Sequence, residues 1–163
     1  MNFRSVIGHD LQSTLESSDH HEMPVDRLAA FSRAERLGTL LWRLKWGHDA
    51  TSFQPAVEGL SEATGQRSAL GVRLCGMLVW EWLNPNCENC KGARELIAGE
   101  RRIVCPKCEG LGIKRYSDRE RARYMNMSLE KWRKLSGKVK PVVEVLTKAE
   151  RQVSARMHLE LER

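Results

Sequence analysis

No stretch of the chain approaches the ~18 consecutive apolar residues of a membrane-spanning helix; the densest run, around Leu78–Trp80, is far shorter. The opening Met-Asn-Phe-Arg is not followed by an apolar core, so no secretory leader is expected and the chain reads as cytoplasmic, without a membrane partner. Neither G-x-x-x-x-G-K-[ST] nor G-x-G-x-x-G after a strand occurs, which removes the common nucleotide-phosphate cradles. Ser, His and Asp are present, but no spacing gathers them into a triad. The five histidines form no constellation: His20 and His21 lie in a polar arm, and His158 in a mixed helical pattern. Neither an enzyme nor a small-molecule substrate is expected. At 163 residues there is no room for a scaffold such as a β/α barrel, which needs ~250; one domain, or two small ones, is the expectation. Aromatic residues are scarce. In the second half only Tyr116, Tyr124 and Trp132 could stack on single-stranded bases, which weighs against a single-strand RNA binder.

Positive charge, by contrast, is abundant and unevenly placed. Lys and Arg number 27 against 21 Asp and Glu, a net charge of +6. Residues 1–83 hold 8 basic and 10 acidic side chains; residues 84–163 hold 19 and 11. Within Lys114–Lys140 the count is 10 to 3. Such a block suits a polyanion, because each Lys or Arg that meets a phosphate releases condensed counterions. A solvated helix face is the plainer explanation of any charge run, so charge alone does not decide.

The apolar pattern is mostly helical. Residues 1–22 are polar and read as a loose arm. From Pro24, the spacing of Leu28, Phe31, Ala34, Leu37, Leu41 and Leu44 predicts one helix face, with Gly47 as its stop. His48 to Gly59, holding Pro55, reads as a loop. A second helix is expected from about Ser61 to Leu83, broken by Asn84-Pro85-Asn86. Its segment Leu74 to Trp80 is apolar nearly all round and is expected to be buried against the first helix. Pro141 opens a last helix whose face carries Val142, Val145, Leu146, Ala149, Val153, Met157 and Leu161. The fold expected is mainly α: a helical hairpin over 23–83, a zinc-binding hairpin over 84–116, then a helix-turn-helix and long C-terminal helix over 117–163, with 23–163 as one compact unit.

The strongest motif is a pair of CxxC turns. Cys87-Glu88-Asn89-Cys90 is followed after fourteen residues by Cys105-Pro106-Lys107-Cys108. Each turn aims two thiolates at one point, and a hairpin that brings both together completes a closed tetrahedral Cys₄ shell. One structural Zn²⁺ is the expected cofactor, held by Cys87, Cys90, Cys105 and Cys108; iron–sulfur shares the same ligand preference. Gly92, Gly110 and Gly112 follow the pairs where the chain turns sharply. Ile97, Ile103 and Val104 suit a hairpin between them. A redox CxxC is weaker, since two pairs coincide with no βαβ pattern around either. Four cysteines leave no open position for a catalytic metal. Cys75 reads as a small core side chain.

A second motif sits in the basic block. Ser117-Asp118-Arg119-Glu120 fits a capping box. Ala122, Met125, Asn126, Met127, Trp132 and Leu135 follow the spacing of a helix-turn-helix, with Asn126 taking the left-handed turn position and Ser128 capping the second helix. Ser128, Glu130, Arg133 and Lys134 are the base-reading candidates on that helix. Arg119, Arg121, Arg123, Lys131, Lys138 and Lys140 are the phosphate candidates.

Together, Cys-x-x-Cys-x-Gly, a hairpin, Cys-x-x-Cys-x-Gly-x-Gly, and a basic helix-turn-helix with Trp132-Arg133 and Val139-Lys140-Pro141 resemble the lambda-type bacteriophage late-gene antitermination protein Q family. The likeness covers residues 84–146. It departs in two places: the first Cys motif lacks a second Gly, and Gly137 lengthens the segment between Trp132 and Pro141. What the resemblance implies is a DNA-binding factor that acts in a host bacterial cytoplasm. It would bind duplex DNA at a late promoter, engage RNA polymerase with its sigma factor, and make it read through terminators. The cysteine segment alone is also similar to the zinc-binding part of DnaJ-type chaperones, which implies the alternative of a protein-binding adaptor. A full chaperone module carries four such pairs; this chain has two.

Overall fold

The structure, a computed structural model, describes residues 36–161. The polar arm and the start of the first expected helix, with Leu28, Phe31 and Ala34, lie outside them. The described chain is mainly helical: α1 (Arg36–Trp46), a 3₁₀ turn (Ala50–Ser52), α2 (Phe53–Ala63), α3 (Ala69–Leu83), β1 (Glu95–Ala98), β2 (Arg101–Val104), α4 (Asp118–Tyr124), α5 (Leu129–Ser136) and α6 (Val139–Leu161).

The backbone groups into two compact units. One holds residues 36–79 with 139–161; the other is Trp80–Lys138. This corrects the expected partition. The metal hairpin and helix-turn-helix share a unit, and the C-terminal helix belongs with the N-terminal helices instead. The described residues therefore form two compact units rather than one.

In the first unit, α1 packs on α2 and α6. Leu41, Leu44, Ala56, Val57, Leu60, Val142, Leu146 and Val153 are among its buried side chains on those helices. A Cβ built on Gly38 of α1 would lie 2.3 Å from Val153 Cγ2 and 2.9 Å from the Ala149 carbonyl, so glycine sets how closely α1 and α6 approach. Gly47 does end α1. Of the stretch read as a loop, Phe53 to Gly59 belongs instead to α2, and the single helix expected from Ser61 is split. Pro55 is tolerated because it sits in the first turn, where its missing N–H has no partner to lose. Gly59 faces Leu37 rather than marking a turn. The break comes at Gly65, with φ +66°. In α3, Leu74, Cys75, Met77, Leu78 and Val79 are buried, while Trp80 is only partly so. The Cys75 thiol lies 3.9 Å from the Thr64 hydroxyl, and burial raises its pKa; it is a core side chain.

The second unit starts at the end of α3 and closes with α5. β1 and β2 pair antiparallel, Leu96 opposite Ile103 and Ala98 opposite Arg101, through the two-residue turn Gly99-Glu100. Among the described residues this is the only sheet. Trp80 packs against Tyr116 and Tyr124, with ring centroids 5.8 and 5.7 Å away. Both tyrosines are thereby half-buried, and Trp132 is fully buried, so none of the three is free to stack on a nucleotide base.

Candidate metal centre and nucleic-acid interface

Each CxxC turn folds back on itself for a local reason. The residue after the second cysteine and the glycine next to it both take positive φ: Lys91 (51°) with Gly92 (91°), and Glu109 (53°) with Gly110 (79°). The two turns are then tied together by a matched pair of hydrogen bonds. Cys105 N–H donates to the Arg94 carbonyl at 2.9 Å, and Cys87 N–H donates to the Gly112 carbonyl at 2.8 Å. The β1–β2 ladder, with Glu95 opposite Val104, is matched by the bridge between Asn86 and Ile113. An offset of eighteen residues maps each partner onto its counterpart, so the centre is a pseudo-two-fold of two knuckles.

That symmetry explains the missing glycine. Arg94 occupies the position equivalent to Gly112 and takes φ +69°, beside +75° for Gly112. A left-handed non-glycine residue costs about 1–2 kcal/mol. We expect Arg94→Gly to raise the melting temperature of metal-loaded protein, and Gly112→Ala to lower it. A Cβ at Gly112 would sit 2.8 Å from the Gly92 carbonyl. A calorimetric scan that moved both the same way would contradict this account.

All four sulfurs are buried and lie within 4.8 Å of one another. Cys87 and Cys105 sulfurs are 3.9 Å apart, and Cys90 and Cys108 sulfurs 3.6 Å. A tetrahedron with metal–sulfur bonds of ~2.3 Å has edges of ~3.8 Å. The four cysteines can therefore hold one metal ion, and the donor set and spacing fit a closed mononuclear site. The donors around the sulfurs favour thiolates. Asn89 Nδ2 donates to the Cys105 sulfur at 3.5 Å and Gly112 N–H to the Cys108 sulfur at 3.2 Å. Burial opposes ionisation of Cys105, but the amides of Cys108 and Lys107 and the Asn89 side chain outweigh it and pull the thiol down to about 6. The Cys90 N–H leads in lowering Cys87. Burial pushes Cys108 up to about 11.

A charge network links the centre to the helix-turn-helix. Glu88 Oε2 accepts from Lys107 Nζ at 2.7 Å, and its other oxygen pairs with Lys114. Lys114 also approaches Glu120 at 3.7 Å. Hydrogen bonds from Lys107 and Lys114 hold the Glu88 carboxyl down at about 2. These roles were missed in the sequence, although one readable signal existed: opposite charges inside the two CxxC loops that the metal must bring together.

The helix-turn-helix is built as its spacing indicates. Ser117 and Glu120 complete the capping box: the Ser117 Oγ accepts from Glu120 N–H at 3.3 Å, and Glu120 Oε2 accepts from Ser117 N–H at 2.8 Å. The Ser117 N–H, and after it the Ser117 hydroxyl, which also donates to Glu120 Oε2 at 2.8 Å, lower the Glu120 pKa. The sign follows directly: this stabilisation is present above the ordinary carboxylate pKa and is lost as pH falls through the depressed one. Protection factors of the α4 amides, taken against the intrinsic exchange rate at each pH, should fall on acidification in wild-type protein and be less pH-dependent in Glu120→Gln. Asn126 takes φ 49°, Met127 N–H reaches the Ala122 carbonyl at 3.0 Å, and the Ser128 Oγ caps Lys131 N–H at 3.3 Å. Ala122, Met125, Trp132 and Leu135 are buried, and Trp132 Nε1 donates to Asp118 Oδ1 at 2.7 Å, bolting α5 to the start of α4.

On the outer side, Ser128, Glu130, Arg133 and Lys134 are exposed, with a Glu130–Lys134 pair at 3.1 Å that is open to water and therefore weak. Of the phosphate candidates, Arg119, Arg123, Lys131, Lys138 and Lys140 are exposed; Lys140 lies in the first unit, 4.0 Å from Glu144. Arg119, Arg123, Asn126, Ser128 and Lys131 line a shallow hollow between α4 and α5. Arg121 differs from the expectation. Its Nε and Nη2 each donate to Glu81 at 2.8 Å, and the Glu81 side chain is only 9% exposed. It is a structural residue fastening α4 to the end of α3. We expect Arg121→Ala to cost about 2–3 kcal/mol in urea unfolding, because it strands a largely buried carboxylate. A change confined to DNA affinity would contradict this.

The second unit also concentrates the charge. Trp80–Lys138 holds 14 basic and 8 acidic residues, a balance of +6, equal to that of the whole chain. No described helix is long and apolar enough to cross a membrane. Compared with known proteins, the chain matches no family model, no curated protein and no solved structure.

Proposed function

We propose that the chain is a zinc-containing transcription antitermination factor of the phage late-gene Q type. It holds one structural Zn²⁺ on Cys87, Cys90, Cys105 and Cys108. It reads a specific duplex DNA site near a late promoter through α5, and it engages host RNA polymerase with its sigma factor so that terminators are read through. The observation that carries this reading is a coincidence within Trp80–Lys138: a helix-turn-helix with an exposed polar reading face lies in the unit that bears the entire net charge. Zinc is favoured because it takes closed four-thiolate shells, and sulfurs within 4.8 Å of one another surround one ion rather than a cluster. The ion supplies folding free energy to a segment with little core, and performs no chemistry.

Selection from a random duplex pool with zinc-loaded protein, at ~150 mM salt to suppress the phosphate contribution, tests the DNA half. An enriched motif supports it and leads to read-through assays with purified polymerase. A pool that stays random overturns autonomous sequence reading and favours the DnaJ-like adaptor.

A further inference from the structure

β1 and β2 contribute little apolar packing to the buried cysteines of the metal centre. Only Leu96 packs against the cysteine cluster. Ile97 is 83% exposed, Val104 63% and Ile103 45%. Because Ile97 lies opposite Arg102 and Glu95 opposite Val104, these four share one face. A two-stranded ribbon is marginal by itself and is normally completed by a third strand or a helix. Exposed edges are guarded by short length, charges, above all Lys, or Pro; these short strands contain no Lys or Pro, and their charges are Glu95, Arg101 and Arg102. The basic residues here are arginines, Arg94, Arg101 and Arg102, with no ion pair among the described residues. Arginine is the cation enriched in protein interfaces, where lysine is depleted.

We propose that this hairpin docks an extended, acidic segment of another protein as a third strand along the edge of β2, with apolar side chains on the Ile97–Val104 face and carboxylates that meet Arg102 on that face and Arg101 on the opposite one. The two halves of the patch favour this occupant together. The unit's +6 balance attracts an acidic partner. Exposed isoleucine and valine gain nothing from a phosphate backbone, so the face suits protein better than nucleic acid. Strand addition gives affinity through main-chain hydrogen bonds and specificity through alternate side chains. The inference is independent of DNA reading by α5.

The test pans a phage-displayed random dodecapeptide library on the zinc-loaded full chain. Two double variants serve as controls, Ile97→Thr with Val104→Thr and Arg101→Glu with Arg102→Glu. All four positions are exposed, and threonine keeps strand preference; unchanged metal content and melting temperature verify that both variants fold. The expected result is enrichment of net-negative peptides with alternating apolar residues, bound at least ten-fold more weakly by each variant. No enrichment, or peptides bound equally by the variants, overturns the proposal. So does a loss of duplex DNA affinity in the arginine variant, which makes the hairpin a nucleic-acid surface. A wild-type dimer in sedimentation that the threonine variant dissociates overturns it in favour of a second copy of the chain. Duplex selection by α5 is read separately, so failure of either reading leaves the other standing.

Discussion

Cys87→Ser, or removal of the ion by a chelator, is expected to abolish amide protection across residues 84–116 while residues 36–79 and 139–161 keep theirs. The reason is the distribution of apolar burial. The first unit has its own interior, with Leu41, Leu44, Leu60, Leu74 and Val153 among its fully buried side chains. The metal segment buries little beyond its four cysteines and part of Leu96. Its strands are exposed at almost every position. Structural zinc contributes on the order of 10–16 kcal/mol of apparent binding free energy in small zinc-finger peptides, which is also their folding free energy. Losing one thiolate from a shell of four forfeits most of that. The loss should spread into α4, since Lys114 bridges Glu88 to Glu120 and Tyr116 donates to the Asn84 carbonyl at 2.8 Å. Hydrogen exchange read by mass spectrometry, with metal content measured alongside, gives the answer. Unchanged protection in metal-free protein would show that the centre is not what holds this segment.

Arg133→Ala and Lys138→Ala should separate two kinds of contact. Arg133 is exposed on α5, the helix that the proposal places in the major groove. A bidentate base contact is worth about 1–3 kcal/mol of discrimination, so its loss should weaken binding to the selected site roughly 5- to 150-fold and to scrambled duplex far less. Lys138, exposed just beyond α5, should weaken both duplexes alike and lower the salt slope by about 0.9, the value for one phosphate. Glu130 and Lys134 restrain each other only weakly, so Lys134→Ala is the control for which cation reads bases. Equal losses on selected and scrambled duplex for both Arg133→Ala and Lys134→Ala would remove base contact by either side chain.

The sequence by itself determined the features whose partners lie a few residues away. The paired CxxC turns, the Ser117–Glu120 capping box, the Asn126 turn, the Ser128 cap and the inward Ala122, Met125, Trp132 and Leu135 all depend on local spacing. Backbone geometry alone relates such neighbours, so residue type and interval suffice. Tertiary structure decided what depended on distant partners. Arg121 reads as one more basic residue until Glu81, forty positions away, takes both of its donors. Arg94 reads as a departure from the glycine pattern until the second knuckle gives it the same left-handed turn as Gly112. Pro55 and Gly59 read as loop residues, but burial of Phe53, Ala56, Val57 and Leu60 outweighs their poor helix propensity. The partition into two units is of the same kind, since no local signal says that the helix from Val139 returns to Arg36–Trp46. That association is made by Gly38 admitting Val153 at close range, a contact between segments more than a hundred residues apart.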